Sequence, residues 1–214
     1  MISACIITLN EEKNAKEIVL DIKGFVDEIV VVDAFSSDNT ADIVGKYGAV
    51  VFKNHFKDYG SQRNFAINKA KHEWIFMIDA DERCSDNLKK NLKEIPFNKK
   101  HDGYSILWKN YCDSNLVEVP RKLCLFRRYG YYKDELHEKV EGLKNIVNLK
   151  DENSFLIHNK TKKEQVQRFV RYKEMILQNI ARYEAEQNWD KLAYYKYALR
   201  RQREKEIIWL NDYV

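Results

Sequence analysis

The sequence predicts an α/β fold with a mostly parallel central sheet and helices on both faces of that sheet. Three observations carry this prediction. Short apolar runs rich in Val and Ile alternate with helical segments over the first hundred residues. These runs lack the polar alternation of a half-exposed strand, which is typical of strands buried on both faces. The chain also has only 7 Gly and 2 Pro among 214 residues, which argues against long disordered linkers.

The predicted elements follow one another in βα order up to residue 78. The strands are Ile2–Thr8, Glu28–Asp33, Ala49–Lys53 and Trp74–Ile78. The helices between them cover about Glu11–Lys23, Thr40–Gly48 and Gly60–Lys71. We expect Gly24 to stop the first helix and Thr40 to cap the second. This βαβαβαβ rhythm implies parallel strands joined by crossover helices.

The rhythm changes after residue 96. Three short strand candidates follow without clear helices between them: Tyr104–Trp108, Leu123–Phe126 and Phe155–Ile157. We expect them to form an antiparallel extension over one end of the sheet. We therefore predict one domain over residues 1–160, with a first half at 1–95 and a second half at 96–160.

The last segment, residues 161–214, is predicted to be a basic helical extension. Thr161 and Glu164 match a capping box, and Asp190 is expected to cap a last helix. A helical apolar stripe consists of Val166, Phe169, Val170, Ile176, Leu177 and Ile180.

Composition argues against a membrane-spanning protein, a secreted protein and a zinc-binding protein. No run approaches the ~20 apolar residues of a membrane-spanning helix, and the first residues lack the features of a signal peptide. The four cysteines form no CxxC pair, so we expect reduced thiols, no zinc site and a cytosolic location. The net charge of +4 lies entirely in residues 161–214, which hold 12 basic and 8 acidic residues.

The most informative stretch is Asp79-Ala80-Asp81, which directly follows the fourth apolar run. If this stretch stays extended, both carboxylates point to one side at the carboxyl end of a buried strand. Ligands bind at that edge of open α/β sheets, and carboxylates there suit a hard divalent cation. The competing interpretation is a polar turn that closes the strand.

Polar residues also follow the first two strands. Thr8-Leu9-Asn10-Glu11 ends the first strand, and Asp33 opens a polar stretch after the second. Parallel strands place these ends at one edge, which predicts a nucleotide site there. The chain has no Gly-rich phosphate loop, so a metal would have to hold the phosphates. Two alternative interpretations remain open. Asp33 could simply start a turn, and Asn10 or Glu11 could cap the following helix.

Together these motifs resemble the family-2 glycosyltransferases, which share the GT-A fold for nucleotide-diphospho-sugars. The matching pieces are 6–12, 27–33, 36–40, 60–64 and 79–82. They cover nearly all of the first ninety residues in the family's order and approximate spacing. The resemblance implies an α/β GT-A fold and a metal-dependent transfer from a UDP-sugar. Residues 1–160 would then be the catalytic domain, with 1–95 as its nucleotide-binding half and 96–160 as its acceptor half.

The resemblance also implies roles for individual residues. The nucleotide would be held by Thr8, Asn10, Glu11, Asp33, Ser36 and Asp38. Gln62 and Arg63 would lie near the diphosphate or the base. Asp79 would hold the ribose or a metal-bound water, and Asp81 would bind Mn²⁺ or Mg²⁺. Phe35 stands where the family commonly has a glycine.

A second, shorter match lies at residues 132–142, which include His137 and Glu138. This segment is similar to the lipopolysaccharide-core branch of the family, whose members typically add glucose to inner-core heptose. An inverting sugar transfer needs a base for the acceptor hydroxyl. We predict Glu138 as that base, with Asp134 and Glu135 as the nearest competitors and a solvated surface charge as the alternative. His158 follows an apolar triplet, where it would complete the metal shell, contact the diphosphate, or only form local hydrogen bonds.

The basic tail interleaves Lys and Arg with Tyr and Trp. It could contact an anionic membrane, bind a phosphorylated lipid-linked acceptor, or form a charged helical hairpin. We expect the apolar stripe to pack on the protein and the basic face to meet the membrane. No nucleic-acid-binding module is recognisable.

We therefore predict an inverting glycosyltransferase that moves glucose from a UDP-sugar to a lipid-linked saccharide in lipopolysaccharide core synthesis. It would act peripherally on the inner face of the cytoplasmic membrane. The alternatives are a sugar-phosphate nucleotidyltransferase and a non-catalytic nucleotide-sugar-binding module.

Overall fold

Four parallel strands form the first half of the central sheet. The computed structural model describes residues 1–94, 100–136 and 138–213, with side chains up to residue 209. The strands are β1 (Ile2–Thr8), β2 (Glu28–Asp33), β3 (Val50–Lys53) and β4 (Trp74–Met77). They pair in the order β3-β2-β1-β4, all in parallel. The predicted bounds of β1 and β2 are confirmed, and β3 and β4 are each one residue shorter than predicted.

Three helices connect these strands: α1 (Glu12–Ile22), α2 (Thr40–Lys46) and α3 (Tyr59–Lys69). One predicted helix end is confirmed and another is wrong in detail. α1 ends at Ile22 with Lys23 as its C-cap, so Gly24 directly follows the cap of the helix that it was predicted to stop. Thr40 is the first residue of α2 rather than its cap, because Asn39 occupies the cap position.

The sheet is covered on both faces, as its apolar strands require. Side chains of β1 alternate between the two faces. Ala4 and Ile6 belong to one apolar cluster together with Ile18 of α1. Cys5 belongs to a second cluster together with Ala66 of α3. Helices α1 and α3 therefore pack against opposite faces, and the strand ends remain free to form a site.

The second half of the chain continues the same sheet. Its strands are β5 (Glu82–Cys84), β6 (Gly103–Cys112), β7 (Asn115–Glu118), β8 (Arg121–Arg127), β11 (Ile146–Asn148) and β12 (Phe155–Lys160). The order over the described residues is β3-β2-β1-β4-β8-β6-β12-β5, with β7 and β11 also paired to β6. The antiparallel character was predicted correctly. The extension also lies at one end of the parallel strands, as predicted, and it continues the same sheet because β8 pairs directly with the wholly buried strand β4.

Two further features complete this part of the chain. Helix α4 (Asp86–Glu94) follows β5 and was not predicted. Strands β9 (Tyr131–Lys133) and β10 (Lys139–Glu141) form a separate antiparallel pair. They flank the segment that carries the predicted base. Residues 95–99, which contain the predicted boundary between the two halves, lie outside the described residues.

The chain divides into two compact units, Met1–Asn159 and a second unit that begins at Lys160. The second unit contains α5 (Lys162–Ala185) and α6 (Trp189–Tyr213). The predicted capping box is confirmed, with Thr161 and Glu164 bonded reciprocally. The predicted cap at Asp190 is wrong, because Asn188 accepts the backbone N–H of Lys191 at 3.2 Å.

Helices α5 and α6 pack against each other through aromatic side chains. Tyr183 stacks on Tyr195 with ring centroids 5.6 Å apart, and Phe169 meets Trp209 edge-on at 5.8 Å. The predicted apolar stripe is only partly buried: Ile176 is buried, whereas Val166, Val170 and Leu177 are exposed. Among the described helices, none is both long enough and apolar enough to cross a membrane.

Candidate active site

The carboxyl ends of β1 and β2 are joined through Asp33. Thr8 lies opposite Asp33 in the sheet register, and its Oγ1 donates to Asp33 Oδ2 at 3.0 Å. Ser36 donates to the same carboxylate from its backbone N–H at 2.8 Å and from Oγ at 2.5 Å. Asp33 is completely buried. Three of its roughly four acceptor positions are thus used within the protein, so its first role here is to shape the loop after β2.

The loops after β1 and β2 hold each other in place. The backbone N–H of Asn10 donates to Ser36 Oγ at 2.8 Å, and Asn10 Oδ1 accepts from the Ser37 N–H at 2.8 Å. Asp38 accepts the Glu12 N–H at 3.2 Å, and Thr40 Oγ1 accepts the Glu11 N–H at 2.8 Å. These contacts cap the first turn of α1 from the neighbouring loop. Neither the Asn10 nor the Glu11 side chain acts as the cap.

Phe35 adopts a left-handed backbone conformation, which glycine reaches more easily than other residues. Its φ is +61°, in the left-handed region that is uncommon for a bulky residue. The ring is 46% exposed and stacks on His55 with centroids 4.1 Å apart. The loop between Asp33 and Ser36 therefore keeps a glycine-like turn and adds an exposed aromatic face.

The acidic pair after β4 does not continue as an extended strand, which corrects the prediction. The Glu82 N–H donates to Asp79 O at 3.0 Å, so residues 79–82 form a tight turn, called the acidic turn below. The chain can then enter β5, which pairs antiparallel with β12. Because of this turn, the carboxylates of Asp79 and Asp81 have different partners instead of converging on one cation.

Asp79 lies between two cations. Its Oδ1 is 2.8 Å from Arg63 Nη1, and its Oδ2 is 3.0 Å from Lys122 Nζ. Lys122 Nζ also lies 2.6 Å from Glu82 Oε1. Burial alone would raise the pKa of Asp79, but Arg63 and Lys122 outweigh it and hold that pKa well below its usual range. Asp79 therefore stays ionised.

The predicted base is connected to the same group of charges. Arg63 Nε donates to Glu138 Oε1 at 2.8 Å, and the guanidinium lies over the Tyr132 ring at 5.5 Å. Burial would lower the pKa of Arg63, but Asp79 and Glu138 help to keep it well above its usual value. One buried guanidinium thus bridges Asp79 and Glu138. His137 lies outside the described residues.

The competing bases lie on a loop that packs against the start of α3. The Tyr59 N–H donates to Glu135 O at 3.3 Å, and Asp134 has a φ of +72°. A Cβ on Gly60 would come within 2.3 Å of Asp134 O. Only glycine therefore lets this loop approach the helix.

We expect Gly60→Ala to displace the loop that leads to Glu138. A methyl group cannot occupy a position 2.3 Å from a backbone oxygen, so the loop or the helix must shift. We predict a loss of about 1–3 kcal/mol in the free energy of unfolding, measured by urea denaturation. Gly45→Ala is the matched control, since its new Cβ would meet only Val51 Cγ2 at 3.6 Å. Equal stability of the two variants would contradict this account of Gly60.

Asp81 and His158 form the second part of the site. His158 Nε2 is 3.3 Å from Asp81 Oδ2, and His158 Nδ1 is 2.7 Å from Asn110 Oδ1. Asn110 Nδ2 in turn donates to Glu118 Oε1 at 3.0 Å, which orients the amide so that its oxygen faces the imidazole. Nδ1 then carries the proton, and Nε2 faces the carboxylate. Trp108 stacks on the same imidazole at 5.1 Å.

One predicted site residue lies apart from the charged groups, and three residues of the site were not predicted. Gln62 is buried and exchanges hydrogen bonds with Asn54 at 2.8 and 3.2 Å, so it is not joined to the charged groups. Lys122, Glu82 and Asn110 were not predicted as site residues. A lysine immediately before the apolar run 123–126 was the only sequence signal for Lys122.

The family model for glycosyl transferase family 2 matches residues 3–151. The chain belongs to glycosyltransferase family 2. This family match includes Asp33, Asp79 and Glu138 and ends before His158. It favours a glycosyltransferase over the nucleotidyltransferase and the non-catalytic module considered above.

Curated relatives of this family 2 member share only part of its length. An uncharacterized glycosyltransferase of Rickettsia bellii is 37% identical over 103 residues, covering 48% of this chain and 35% of that protein. The lipopolysaccharide core biosynthesis glycosyltransferase LpsC of Rhizobium meliloti is 35% identical over 99 residues, covering 44% of this chain and 36% of LpsC. The chain thus matches about a third of the length of these relatives.

Solved structures confirm the predicted GT-A fold. The crystal structure of S. aureus TarS 1-349 in complex with UDP-GlcNAc has a TM-score of 0.57 at 20% sequence identity. The match covers 74% of this chain and 58% of that chain.

Proposed function

We propose that this family 2 glycosyltransferase moves a sugar, expected to be glucose, from a UDP-sugar with inversion at the anomeric carbon. Its acceptor would be a lipid-linked saccharide of the lipopolysaccharide core. One observation supports this most strongly. A histidine–carboxylate pair and a guanidinium-bound carboxylate flank the same short turn, where β4 ends beside β1.

The nucleotide would bind over the loops after β1 and β2. Thr8, Asp33 and Ser36 fix the shape of this pocket, while Asn10 and Glu11 lie closer to solvent. The exposed Phe35 ring offers a flat surface next to these groups. A loop that is already hydrogen-bonded loses little further entropy when a nucleotide binds.

Asp81 of the acidic turn and His158 of β12 fit a divalent cation. Because His158 Nδ1 faces the Asn110 oxygen, Nε2 is the ring nitrogen that faces Asp81 Oδ2, at 3.3 Å. Two acceptors in this position need a cation between them, either a proton or a metal. Among the described residues, no cluster of three or more His, Cys, Asp or Glu is placed to hold a metal. Phosphate oxygens and water would therefore supply the other ligands, as Mg²⁺ and Mn²⁺ commonly accept.

The two parts of the site would have separate roles in sugar transfer. When bound to Asp81 and His158, Mn²⁺ or Mg²⁺ would neutralise charge developing on the leaving diphosphate. Glu138 would accept the proton of the acceptor hydroxyl while the hydroxyl oxygen attacks the anomeric carbon. The attack occurs opposite the diphosphate, so the new glycosidic bond has inverted configuration. Arg63 would orient the Glu138 carboxylate through Nε.

Removal of the Asp81 carboxylate is expected to weaken metal-dependent nucleotide binding. We predict that Asp81→Ala and His158→Ala each lower the affinity for UDP in the presence of Mn²⁺ by about 10-fold or more. Isothermal titration calorimetry measures this directly. Asp86→Ala is the control, since its side chain is 91% exposed. Unchanged UDP affinity in Asp81→Ala would count against the proposed metal site.

The acceptor and location are proposed from charge and from one relative. LpsC is named for lipopolysaccharide core biosynthesis. Helix α6 exposes Trp189, Tyr197, Ile207 and Ile208 and also carries Arg200, Arg201, Arg203 and Lys205. Exposed apolar side chains among cations suit the surface of an anionic membrane. We propose peripheral binding at the inner face of the cytoplasmic membrane.

Co-sedimentation with vesicles tests this membrane contact. The protein is expected to bind vesicles that contain phosphatidylglycerol and not vesicles of phosphatidylcholine alone. Replacing Arg200, Arg201 and Arg203 by Ala should weaken binding about 100-fold, because each cation contributes about 1 kcal/mol near such a surface. Equal binding to both vesicle types would contradict the proposal.

A further inference from the structure

Lys122 lies among the charged groups of the site, although no part of the proposed reaction uses it. It belongs to β8, between β4 and β6. Its side chain is only 18% exposed. Its ammonium contacts Asp79 Oδ2 at 3.0 Å and the two Glu82 oxygens at 2.6 and 2.8 Å. It also lies 5.4 Å from the centre of the Trp108 ring.

These contacts connect the first and last residues of the acidic turn. The Asp79 N–H already donates to Glu82 Oε2 at 2.9 Å, and Lys122 adds a cation between the two side chains. Asp81 lies inside the turn that is closed in this way. Without the ammonium, the buried carboxylate of Glu82 and the partly exposed carboxylate of Asp79 would lie close together and repel each other.

The same cation reaches the other part of the site through Asp79. Lys122 contacts Oδ2 of Asp79, and Arg63 contacts Oδ1 of the same carboxylate. Arg63 then holds Glu138 at 2.8 Å. Five side chains therefore form one continuous chain of contacts, in the order Glu82, Lys122, Asp79, Arg63 and Glu138.

We propose that Lys122 is a positioning residue for both parts of the site. It fixes the acidic turn that presents Asp81, and through Asp79 it fixes the guanidinium that holds Glu138. Its role in activity rests on the proposed function, whereas its role in the turn does not. Lys122 is not itself a catalytic residue, because its ammonium is taken up by Asp79 and Glu82.

The activity test compares Lys122→Met, which removes the charge and keeps most of the stem, with Lys122→Arg, which keeps the charge. With UDP-glucose as the donor, we expect Lys122→Met to lower kcat about 10- to 100-fold and to raise the Mn²⁺ concentration for half-maximal activity. The kcat of Lys122→Arg should lie at least halfway, on a logarithmic scale, between the values of Lys122→Met and the wild type. Lys71→Met is the control, because the Lys71 side chain is 74% exposed.

A double-variant comparison tests the connection through Asp79. If Lys122 acts on Glu138 through Asp79, the kcat losses of Lys122→Met and Asp79→Asn should not multiply. The double variant should then lose no more than about threefold beyond the worse single variant. Losses that multiply, or a Lys122→Met variant with wild-type kcat and Mn²⁺ dependence, would overturn the proposal.

Hydrogen exchange separates this inference from the proposed function, because it needs no substrate. The Asp79 amide should exchange at least about 10-fold faster in Lys122→Met, with wild-type protection in Lys122→Arg. Asp79→Asn serves as the second charge-removing variant if Lys122→Met does not fold. If the wild type turns over no UDP-sugar while the exchange result holds, the proposed function fails and the role of Lys122 in the turn stands. Unchanged exchange at Asp79 would overturn that role.

Discussion

Replacing Arg63 by methionine is expected to lower the free energy of unfolding by about 3–5 kcal/mol, the usual cost of leaving a buried charge unpaired. The Arg63 side chain is 9% exposed and contacts both Asp79 and Glu138 at 2.8 Å. Methionine fills much of the same volume without charge, so the loss reports electrostatics more than packing. Urea denaturation followed by circular dichroism measures it.

Two further variants identify the cause of this loss. Arg121→Met is the matched control, because Arg121 is exposed and donates to two backbone oxygens at 3.2 Å; its cost should stay below about 1 kcal/mol. Adding Glu138→Gln to Arg63→Met should restore part of the stability, since it neutralises one carboxylate left without its partner. A loss below about 1 kcal/mol in Arg63→Met would show that these ion pairs do not hold the site together.

Glu138→Gln is expected to remove most of the activity and to leave the fold intact. Glutamine still accepts the Arg63 hydrogen bond through its carbonyl oxygen, but it cannot take a proton from the acceptor. We predict a loss in kcat of about 10²- to 10⁴-fold, with UDP affinity changed by less than about threefold. Steady-state kinetics and calorimetry measure the two quantities.

The competitors for the role of base are tested in parallel. Glu141→Gln is the control, because Glu141 pairs with the exposed Lys133 at 3.2 Å. Asp134→Asn and Glu135→Gln should keep kcat within about 10-fold. If Asp134→Asn shows the large loss instead, Asp134 is the base and Glu138 only holds Arg63.

The sequence predicted the structure best where residues close together in the chain determine it. Strands β1 and β2 were predicted to the residue because continuous Val and Ile runs end at polar groups. The capping box at Thr161 was predicted for a similar reason, since two side chains three residues apart determine it. The family and the GT-A fold followed from the order of such local motifs.

Prediction failed where distant segments decide the structure. The acidic turn departs from an extended strand because residues 82–84 must pair with β12, about seventy residues away. Lys122 belongs to an antiparallel strand, and no motif connects it to Asp79. Asn188 rather than Asp190 caps α6, and this shift of two residues is within the usual uncertainty of helix boundaries.

Slow hydrolysis of the donor tests the proposed metal-dependent transfer from a UDP-sugar most directly, because it needs no acceptor. Each UDP-sugar is incubated with the protein and Mn²⁺, and UDP release is followed over hours. We predict hydrolysis of UDP-glucose that stops when Mn²⁺ is chelated and falls at least about 10-fold in Asp81→Ala. Release of UDP from no donor, or release that is equal with and without the metal, would contradict the account.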